Sequence, residues 1–317
     1  MKILITDVAT LSHNGDVSLD IFEKFGSVVK YDNISRTELL KEVHDTDVLL
    51  CNKTVIDSEV FSRASKLRFI GTFATGYNNI DIPTSKSYGV TVSNAPEYST
   101  NAVAQQVMAY ILMHYTKAYE YNRFVKENGW KNSALFSPLV FATDEVCGKT
   151  LGIIGFGSIG RAVKKAAEGL GINVQVFTRT VRDNDEARFV SLDELLKTSD
   201  IVTMHCPLNE QSADMMNKET FSKMKRGAFF INTARGGVVD EEALKEALES
   251  GILSGAAVDV LKQEPMSKDC VLADAPNLII TPHSAWAPYT TRKRLIKLVA
   301  ENLSAFLNSK PQNVVNN

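Results

Sequence analysis

The chain has 317 residues, of which 44% are hydrophobic and 23% are charged, and its formal net charge is −2. This composition is sufficient for a full buried core and argues against disorder. The balanced charge excludes a basic surplus that would attract nucleic acid or an acidic membrane. No apolar run reaches the roughly 18–20 residues that span a bilayer. At about 100–200 residues per domain, the length predicts two domains.

The N-terminus and the cysteines predict a cytoplasmic protein. The opening sequence MKILITDVA has the pattern of a first strand, whereas a secretory leader would place its charges ahead of a longer apolar run. The cysteines are scattered and form no CxxC pair: Cys51, Cys147, Cys206 and Cys270. We therefore expect neither a disulfide framework nor a zinc site, and no metal.

The first part of the chain alternates strand and helix patterns. The apolar runs KILITD, DVLLCN, RFIGTFA and GVTVSN each predict a short buried strand. Helical patterns lie between them, for example over 35–44 and 57–65. Strands that alternate with helices predict a mostly parallel sheet.

A long helical pattern follows over residues 99–122, with Thr100 or Asn101 as its cap. The next stretch, 127–149, is irregular and contains Trp130. It is long for a connection inside a compact domain, so we interpret it as an arm over a cleft or as a subunit contact.

A second series of strands and helices begins at TLGIIGFG and continues through NVQVFTR, DIVTMHC, GAFFINTA, GAAVDV and NLIITPH. These six strands, with helices between most of them, are the number in a complete dinucleotide-binding fold. After Pro288 an amphipathic helical pattern returns over 290–308, and a polar tail follows.

The predicted fold class is α/β, with two Rossmann-like domains that each contain a parallel sheet. The dinucleotide-binding domain, residues 99–286, is inserted into a flavodoxin-like substrate-binding domain made of residues 1–98 and 287–317. A small ligand is expected in the cleft between two such domains.

A GxGxxG motif, formed by Gly155, Gly157 and Gly160, lies between a predicted strand and a predicted helix. The motif alone is a weak signal, but this context is the one that phosphate binding requires. Gly155 would allow a tight turn, Gly157 the approach of a pyrophosphate, and Gly160 close packing of the helix on the strand. The helix N-terminus would offer N–H groups and partial positive charge. The alternative is a glycine-rich turn without a ligand.

The residues after the strand NVQVF favour NADP(H) over NAD(H). An acid that binds the ribose 2′-hydroxyl is expected there, but the chain continues Thr178-Arg179-Thr180 and has no carboxylate before Asp183. Arg179 and Arg182 lie where that acid would stand, and Arg179 can pair with a 2′-phosphate through two hydrogen bonds. The alternative is a solvated Arg179 that stacks on adenine, with both cofactors used.

Further blocks resemble the D-isomer-specific 2-hydroxyacid dehydrogenases along nearly the whole chain. They are ATGYNNID (74–81), GIIGFGSIGR (152–161), HCPL (205–208), INTARGGVVDEEAL (231–244), GAAVDVLKQEP (255–265) and TPHSAW (281–286). The last three are specific to that family. The segments CNKT, ATGYN and TPHSAW are most similar to the glycerate dehydrogenase, or hydroxypyruvate reductase, subgroup. The resemblance implies nicotinamide-dependent reduction of a small 2-keto acid, hydroxypyruvate or glyoxylate, to the D-2-hydroxy acid, by a homodimer.

Three residues in these blocks resemble the family's catalytic group: Arg235 its substrate arginine, Glu264 its acid and His283 its proton donor. Reduction of a ketone by hydride leaves an alkoxide, which a histidine that titrates near neutrality can protonate. A neighbouring carboxylate would orient the ring and favour the imidazolium. A guanidinium matches a carboxylate and can polarise the keto oxygen. Singly, each residue also has a structural interpretation, as a surface arginine, a turn acid or a satisfied histidine.

The resemblance also implies contacts to the nicotinamide cofactor. Cys206-Pro207 resembles the loop under the nicotinamide, and Asp259 resembles a residue that bonds its carboxamide. The full set of cofactor-binding candidates is Gly155, Gly157, Ser158, Ile159, Gly160, Thr178, Arg179, Cys206, Pro207, Thr233, Ala234 and Asp259.

The substrate-binding candidates are Lys53, Thr75, Gly76, Tyr77 and Trp286. Gly76 and its neighbours resemble a loop whose backbone N–H groups hold the substrate carboxylate. The alternative interpretation of Lys53 is a solvated surface lysine. For Trp286 the alternative is that its side chain fills the hinge. The remaining histidines (His13, His44, His114 and His205) and the pair Met215-Met216 are interpreted as structural or surface residues.

Three other functions are alternatives for a chain with these motifs. Phosphoglycerate dehydrogenases often add a C-terminal regulatory domain, and no arginine cluster for a substrate phosphate is seen here. Formate dehydrogenases lack the glutamate that this chain has as Glu264. A nicotinamide-sensing protein, like the dehydrogenase-shaped corepressors, can keep all three catalytic residues. It would bind cofactor tightly yet turn over poorly with every 2-keto acid.

Overall fold

The computed structural model describes residues 1–181 and 186–316. Arg182 and Asp183, which enter the argument for the cofactor preference, lie outside the described residues. No helix in the described part of the chain combines the length and the apolar character needed to cross a membrane.

The chain divides into two compact units, and each contains a parallel sheet with helices between its strands. The first unit is Met1–Ser99 together with Trp286–Asn317, and the second is Thr100–Ala285. The sequence prediction placed the boundaries after residues 98 and 286. The predicted α/β class with two parallel-sheet domains is confirmed.

The described part of the first unit forms a five-stranded sheet in the order β2-β1-β3-β4-β5, with all pairs parallel. Its strands are β1 (Lys2–Ile5), β2 (Ser27–Lys30), β3 (Val48–Cys51), β4 (Phe69–Thr72) and β5 (Thr91–Ser93). Every residue of β3 and β4 is buried, because helices cover both faces of a parallel sheet.

The helices of the first unit begin at side-chain caps where the sequence provides them. They are α1 (Arg36–Glu42), α2 (Ser58–Arg63), α3 (Ile82–Ser87) and the later α10 (Tyr289–Leu307). Ser35 and Glu38 form a capping box at α1, and Asp57 and Asp81 cap α2 and α3. The long α10 lies against β4, with the rings of Phe306 and Phe69 4.9 Å apart.

The polar C-terminal tail pairs with the edge of this sheet. Val314 forms an antiparallel bridge with Ser93, and the Val315 amide donates to the carbonyl of Val92 at 2.9 Å. The Asn316 amide group donates to the carbonyl of Val90 at 2.6 Å. The tail therefore covers backbone groups that an edge strand would otherwise expose.

The described part of the second unit forms a seven-stranded parallel sheet in the order β12-β11-β10-β9-β6-β7-β8. Its strands are β6 (Thr150–Ile154), β7 (Asn173–Phe177), β8 (Arg188–Phe189), β9 (Ile201–Met204), β10 (Ala228–Asn232), β11 (Leu253–Val258) and β12 (Leu278–Ile280). The sequence predicted six of these. The two-residue β8 is too short to give a periodic pattern, and it adds to the edge beside β7.

The helices of the second unit are α4 (Thr100–Thr116), α5 (Ala118–Lys126), α6 (Ser158–Glu168), α7 (Leu192–Thr198), α8 (Lys218–Ser222) and α9 (Glu241–Glu249). The single helix expected over 99–122 is wrong. Lys117 has a φ of +51°, a left-handed conformation that ends α4, and α5 begins at the next residue. The side chains of α4 pack on α6, with Val107 and Val163 in one core cluster.

Candidate active site

The predicted phosphate loop joins β6 to α6 and packs tightly against the strand beside it. Gly155 has a φ of +95°, and a Cβ there would lie 2.7 Å from the amide nitrogen of Cys206. A Cβ at Gly160 would lie 2.4 Å from the carbonyl oxygen of Gly155. Neither position therefore accepts a side chain, as the sequence predicted for the turn and for the helix packing.

Gly157 differs from the other two glycines. A Cβ built on it would have no described atom within 4 Å, so the space above the start of α6 is open. Gly157 is the N-cap of this eleven-residue helix and contributes no side-chain cap. The first N–H groups of α6 thus face a place where an anion fits, and where a side chain would occupy the room.

An open cleft of about 340 Å³ lies beside this loop. Its size is in the range of small-molecule sites, roughly 300–1,000 Å³. Of the predicted cofactor-binding residues, six line it: Gly155, Gly157, Thr178, Arg179, Cys206 and Pro207. Thr180, Asn209, Gln211, Ser212 and Met215 also line it, although sequence analysis did not assign them to the site. Thr180 follows β7, whereas the other four follow β9 in the segment after HCPL, and these positions at strand ends were the available signal.

The end of β7 presents a cation to the cleft. Arg179 is exposed, and its Nη1 donates to the side-chain oxygen of Gln211. The loop that carries Gln211 is held by its own bonds, with the Gln211 amide donating to Asn209 Oδ1 at 3.0 Å. Thr178 donates to the carbonyl of Thr180 at 3.3 Å.

His205 and Cys206 follow β9 and line the cleft. Burial lowers the pKa of His205 to about 3, so its ring is neutral at physiological pH. Its Nε2 is 3.0 Å from the hydroxyl of Thr203, and its buried Nδ1 has no partner in the described structure. Burial also raises the pKa of the Cys206 thiol. These groups suit a neutral wall better than proton transfer.

Two of the predicted catalytic residues are in direct contact. Nδ1 of His283 is 2.7 Å from Oε2 of Glu264, and Oε1 of Glu264 accepts from the Leu261 amide at 3.0 Å. Their side chains are 27% and 35% exposed, so both remain accessible. Because Nδ1 faces the carboxylate, the ring presents Nε2 on its opposite side.

The turn that carries His283 is held from β11 by the buried Asp259. His283 has a φ of +51°, and its amide donates to the carbonyl of Asp259 at 2.8 Å. The Asp259 carboxylate accepts hydrogen bonds from the amides of Ser284 and Ala285, each at 2.9 Å, and from the hydroxyl of Thr281. The family resemblance implies that Asp259 bonds the nicotinamide carboxamide. That assignment stays a prediction, and these contacts add a structural role.

Arg235, the third predicted catalytic residue, follows β10 in a loop whose backbone is hydrogen-bonded by the Asn232 side chain. The Asn232 side chain donates to the Arg235 carbonyl at 2.9 Å and accepts from the Ala234 amide at 3.0 Å. A Cβ on the next residue, Gly236, would lie 1.9 Å from the carbonyl carbon of Leu261. This close approach places the Arg235 loop against the segment that leads to Glu264.

Thr233, beside this loop, is only 9% exposed, and its hydroxyl has no hydrogen-bond partner among the described residues. A buried polar atom left in this way is costly unless a ligand or water reaches it. It therefore fits a polar group of a bound cofactor. Ala234, another predicted cofactor contact, follows Thr233 in the chain. The predicted contacts Ser158 and Ile159 are the first two residues of α6.

The substrate-binding candidates belong to the first unit. Asp7, which sequence analysis missed, is buried after β1 and accepts from the amides of Asn52, Lys53 and Thr54 at 2.5–3.0 Å. It fixes the backbone of the Lys53 loop in the way a carboxylate caps a helix. The signal was an Asp two residues after the end of the first strand.

The other candidates of that unit have the following surroundings. Thr75 donates to the carbonyl of Ala95 at 2.8 Å, Gly76 is half-buried and Tyr77 is 36% exposed. Trp286 meets Tyr98 edge to face, with ring centroids 6.1 Å apart, and packs on the core of the first unit.

A metal centre finds no support in the described ranges. Within residues 1–181 and 186–316, no group of three or more His, Cys, Asp or Glu side chains could hold an ion. All four cysteines fall in these ranges, and each carries a free thiol.

The chain is similar to known dehydrogenases and reductases in both sequence and structure. The model of the "D-isomer specific 2-hydroxyacid dehydrogenase, NAD binding domain" family matches residues 108–285. The chain is 38% identical to a hydroxypyruvate reductase of Blautia hydrogenotrophica over the full length of both chains. It is also 38% identical to a glyoxylate reductase of Korarchaeum cryptofilum, covering 89% of this chain and 86% of that one. Among solved structures, an acyclic imino acid reductase in complex with NADPH and D-Arg matches with a TM-score of 0.87, at 29% identity, over 99% of this chain and all of that one.

The open space at Gly157 predicts a variant that folds but binds a dinucleotide more weakly. In Gly157→Ala the new methyl group meets no described atom, so the melting temperature stays close to that of the wild type. Affinity for NADP(H) or NAD(H), measured by calorimetry, falls by about tenfold or more, a loss of about 1.4 kcal/mol, because the methyl group takes the place of the pyrophosphate. The matched control Gly160→Ala should instead have a lower melting temperature, because its Cβ would lie 2.4 Å from the carbonyl oxygen of Gly155. Unchanged affinity in Gly157→Ala would contradict the assignment of the loop.

Proposed function

The chain belongs to the D-isomer specific 2-hydroxyacid dehydrogenase family, and we propose that its substrate is hydroxypyruvate or glyoxylate. It is an NAD(P)-dependent oxidoreductase that interconverts a 2-keto acid and a D-2-hydroxy acid. The observation that carries the proposal is the 2.7 Å contact between His283 and Glu264, because a ketone reduction needs a proton donor held in place. The relatives named as hydroxypyruvate and glyoxylate reductases support the choice of a small substrate.

In this proposal His283 is the general acid. The nicotinamide cofactor, when bound, supplies the hydride. Nε2 of His283 donates the proton to the developing alkoxide of the substrate and accepts it in the reverse direction. The Glu264 carboxylate holds Nδ1, fixes the ring orientation and stabilises the imidazolium by its charge. The exposed side of both residues gives the substrate access.

Arg235 is proposed to bind the substrate carboxylate and to polarise the keto oxygen. A guanidinium suits both tasks, because it carries a fixed positive charge and a planar set of donors. The hydrogen bond from the Asn232 side chain to the Arg235 carbonyl and the close approach of Gly236 to Leu261 support this role. Both hold the backbone of the loop in one position. Lys53, Thr75, Gly76, Tyr77 and Trp286 are proposed as further substrate contacts.

The cofactor is proposed to lie along the carboxyl ends of the strands of the second unit. The first turn of α6 would hold the pyrophosphate, with Ser158 and Ile159 contributing their backbone N–H groups. Cys206 and Pro207 would form a neutral wall, and the unpartnered hydroxyl of Thr233 would bond a polar group. All these contacts come from one unit of the chain, as in other dinucleotide-binding domains.

NADP(H) is proposed as the preferred cofactor. The cation Arg179 lines the cleft at the end of β7, and its neighbours Thr178 and Thr180 are uncharged. A 2′-phosphate would therefore meet a positive charge and two hydroxyl groups, where a carboxylate would repel it. The solved relative that binds NADPH is consistent with this preference.

A cytoplasmic homodimer is part of the proposal. The segment 127–149 carries apolar side chains that are largely exposed in the single chain, with Leu135 at 64%, Phe136 at 91% and Leu139 at 87%. Apolar side chains grouped in this way mark a contact surface, and a second copy of the chain is the simplest partner. The free thiols of the four cysteines are consistent with a reducing compartment.

Removal of the proton donor tests the reaction. With hydroxypyruvate or glyoxylate and NADPH or NADH, the wild type should consume reduced cofactor, and His283→Ala should lose about 10²–10⁴-fold in kcat. His283→Asn is a second variant, because asparagine tolerates the left-handed backbone at this position. The exposed His13→Ala serves as control. Turnover that survives in both His283 variants contradicts the assignment. Tight cofactor binding without turnover of any 2-keto acid by the wild type would indicate a sensor.

A negative charge introduced at the end of β7 tests the cofactor preference. Thr178→Asp places a carboxylate where the 2′-phosphate is proposed to bind, so the ratio of kcat/KM for NADPH to that for NADH should fall by about tenfold or more. Binding of 2′,5′-ADP should weaken while binding of 5′-AMP remains. The companion variant Arg179→Ala should weaken 2′,5′-ADP binding without improving NADH use. A wild type that prefers NADH would discard the cofactor argument and leave the reaction intact.

Sedimentation equilibrium tests the dimer. The wild type should give twice the chain mass of 34.9 kDa, and the double variant Phe136→Ser with Leu139→Ser should shift toward the single mass. Replacement of the exposed Tyr88, which lies outside this segment, by Ser is the control. A wild type that sediments at 34.9 kDa would overturn the proposal.

A further inference from the structure

We propose that Tyr110, on α4, is a positioning residue that holds the turn of His283 through Thr281 and Asp259. The inference rests on the proposed role of His283 as the proton donor. The Tyr110 oxygen is 2.5 Å from the Thr281 hydroxyl, and Thr281 in turn bonds the Asp259 carboxylate. Tyr110 is far from the predicted motifs in the sequence, so only the fold reveals the connection.

The direction of these hydrogen bonds follows from counting protons. The Thr281 hydroxyl donates its single proton to the Asp259 carboxylate. The Thr281 oxygen then has lone pairs and no proton for its other neighbour. Tyr110 must therefore be the donor in the 2.5 Å contact. The series runs from Tyr110 to Thr281 to Asp259.

The surroundings of Tyr110 keep this arrangement in one state. Its side chain is 1% exposed and lies in a core cluster with Val107 and Ile111. Burial raises the pKa of Tyr110, so the phenol keeps the proton that it donates. The Gln106 side chain also hydrogen-bonds this hydroxyl. A buried hydroxyl that lost its partner here would have no access to bulk water.

The far end of the series controls the backbone around His283. The Asp259 carboxylate that Thr281 engages also accepts from the amides of Ser284 and Ala285, the two residues after His283. Rotation of that carboxylate would therefore move the turn and the ring that it carries. Because His283 must reach the substrate from a backbone at φ +51°, a small displacement is costly for proton transfer.

The inference is tested by removing one hydroxyl at a time. Tyr110→Phe should lower kcat about fivefold, the usual effect of one lost neutral hydrogen bond. It should leave the KM for NADPH unchanged and raise the solvent deuterium isotope effect on kcat, because proton transfer becomes slower. Tyr115→Phe removes a hydroxyl from the same helix outside this series and should behave as wild type. A purely structural role would lower stability without changing the isotope effect.

Variants at Thr281 provide a second line of evidence. Thr281→Val removes the middle hydroxyl and should reduce kcat more than Tyr110→Phe does, whereas Thr281→Ser keeps the hydroxyl and should retain activity. Adding Tyr110→Phe to Thr281→Val should cause no further loss, since the two side chains act in one series. Additive losses would overturn the proposal.

Amide hydrogen exchange measures the same effect without turnover. In Tyr110→Phe the amides of Ser284 and Ala285 should exchange faster than in the wild type and in Tyr115→Phe. Unchanged exchange at both amides would overturn the inference. This readout remains decisive if the wild type reduces no 2-keto acid, an outcome that would count against the proposed function alone.

Discussion

The hydrogen bonds that the buried Asp259 makes to residues 281–285 are the interaction on which the proposed catalytic arrangement depends. One carboxylate at the end of β11 accepts from two backbone amides and one hydroxyl of this turn, and its own carbonyl accepts from the His283 amide. Asp259 is only 2% exposed. Such burial of a carboxylate is tolerated because hydrogen-bond donors satisfy its oxygens. The bonds hold His283 in a left-handed conformation that leads its ring to Glu264.

The first unit uses the same device at a different loop. Asp7 follows β1, is also 2% exposed, and collects the amides of three successive residues that include Lys53. In both units an aspartate within two residues of the end of a strand fixes the backbone of a loop that carries a functional candidate. Hydrogen bonds from several amides to one ionised carboxylate are strong and directional, so a loop without regular secondary structure can still be rigid.

Glycines bring the remaining loops together by removing side chains from close contacts. Gly155 lets the phosphate loop touch the segment after β9, and Gly236 lets the Arg235 loop touch Leu261. These contacts join neighbouring strands at one edge of the sheet, since the carboxyl ends of parallel strands lie on the same side. Gly157 is different, because the space beside it is open and suits a ligand.

The sequence by itself determined the α/β class, the glycine-rich turn between a strand and a helix, and the family, and it predicted a catalytic group of which His283 and Glu264 are in contact. These follow from local patterns: strand runs, a glycine motif between a strand and a helix, and blocks that resemble one family. Periodicity did not show the break of the long helix at Lys117, because a single left-handed residue interrupts it without changing the apolar pattern. Only the tertiary structure decided that Tyr110 reaches Thr281, that Gln211 bonds Arg179 and that Asp7 holds the Lys53 loop. Each of these contacts joins residues from separate segments of the chain, and no local pattern records which distant residue a buried donor or acceptor will meet.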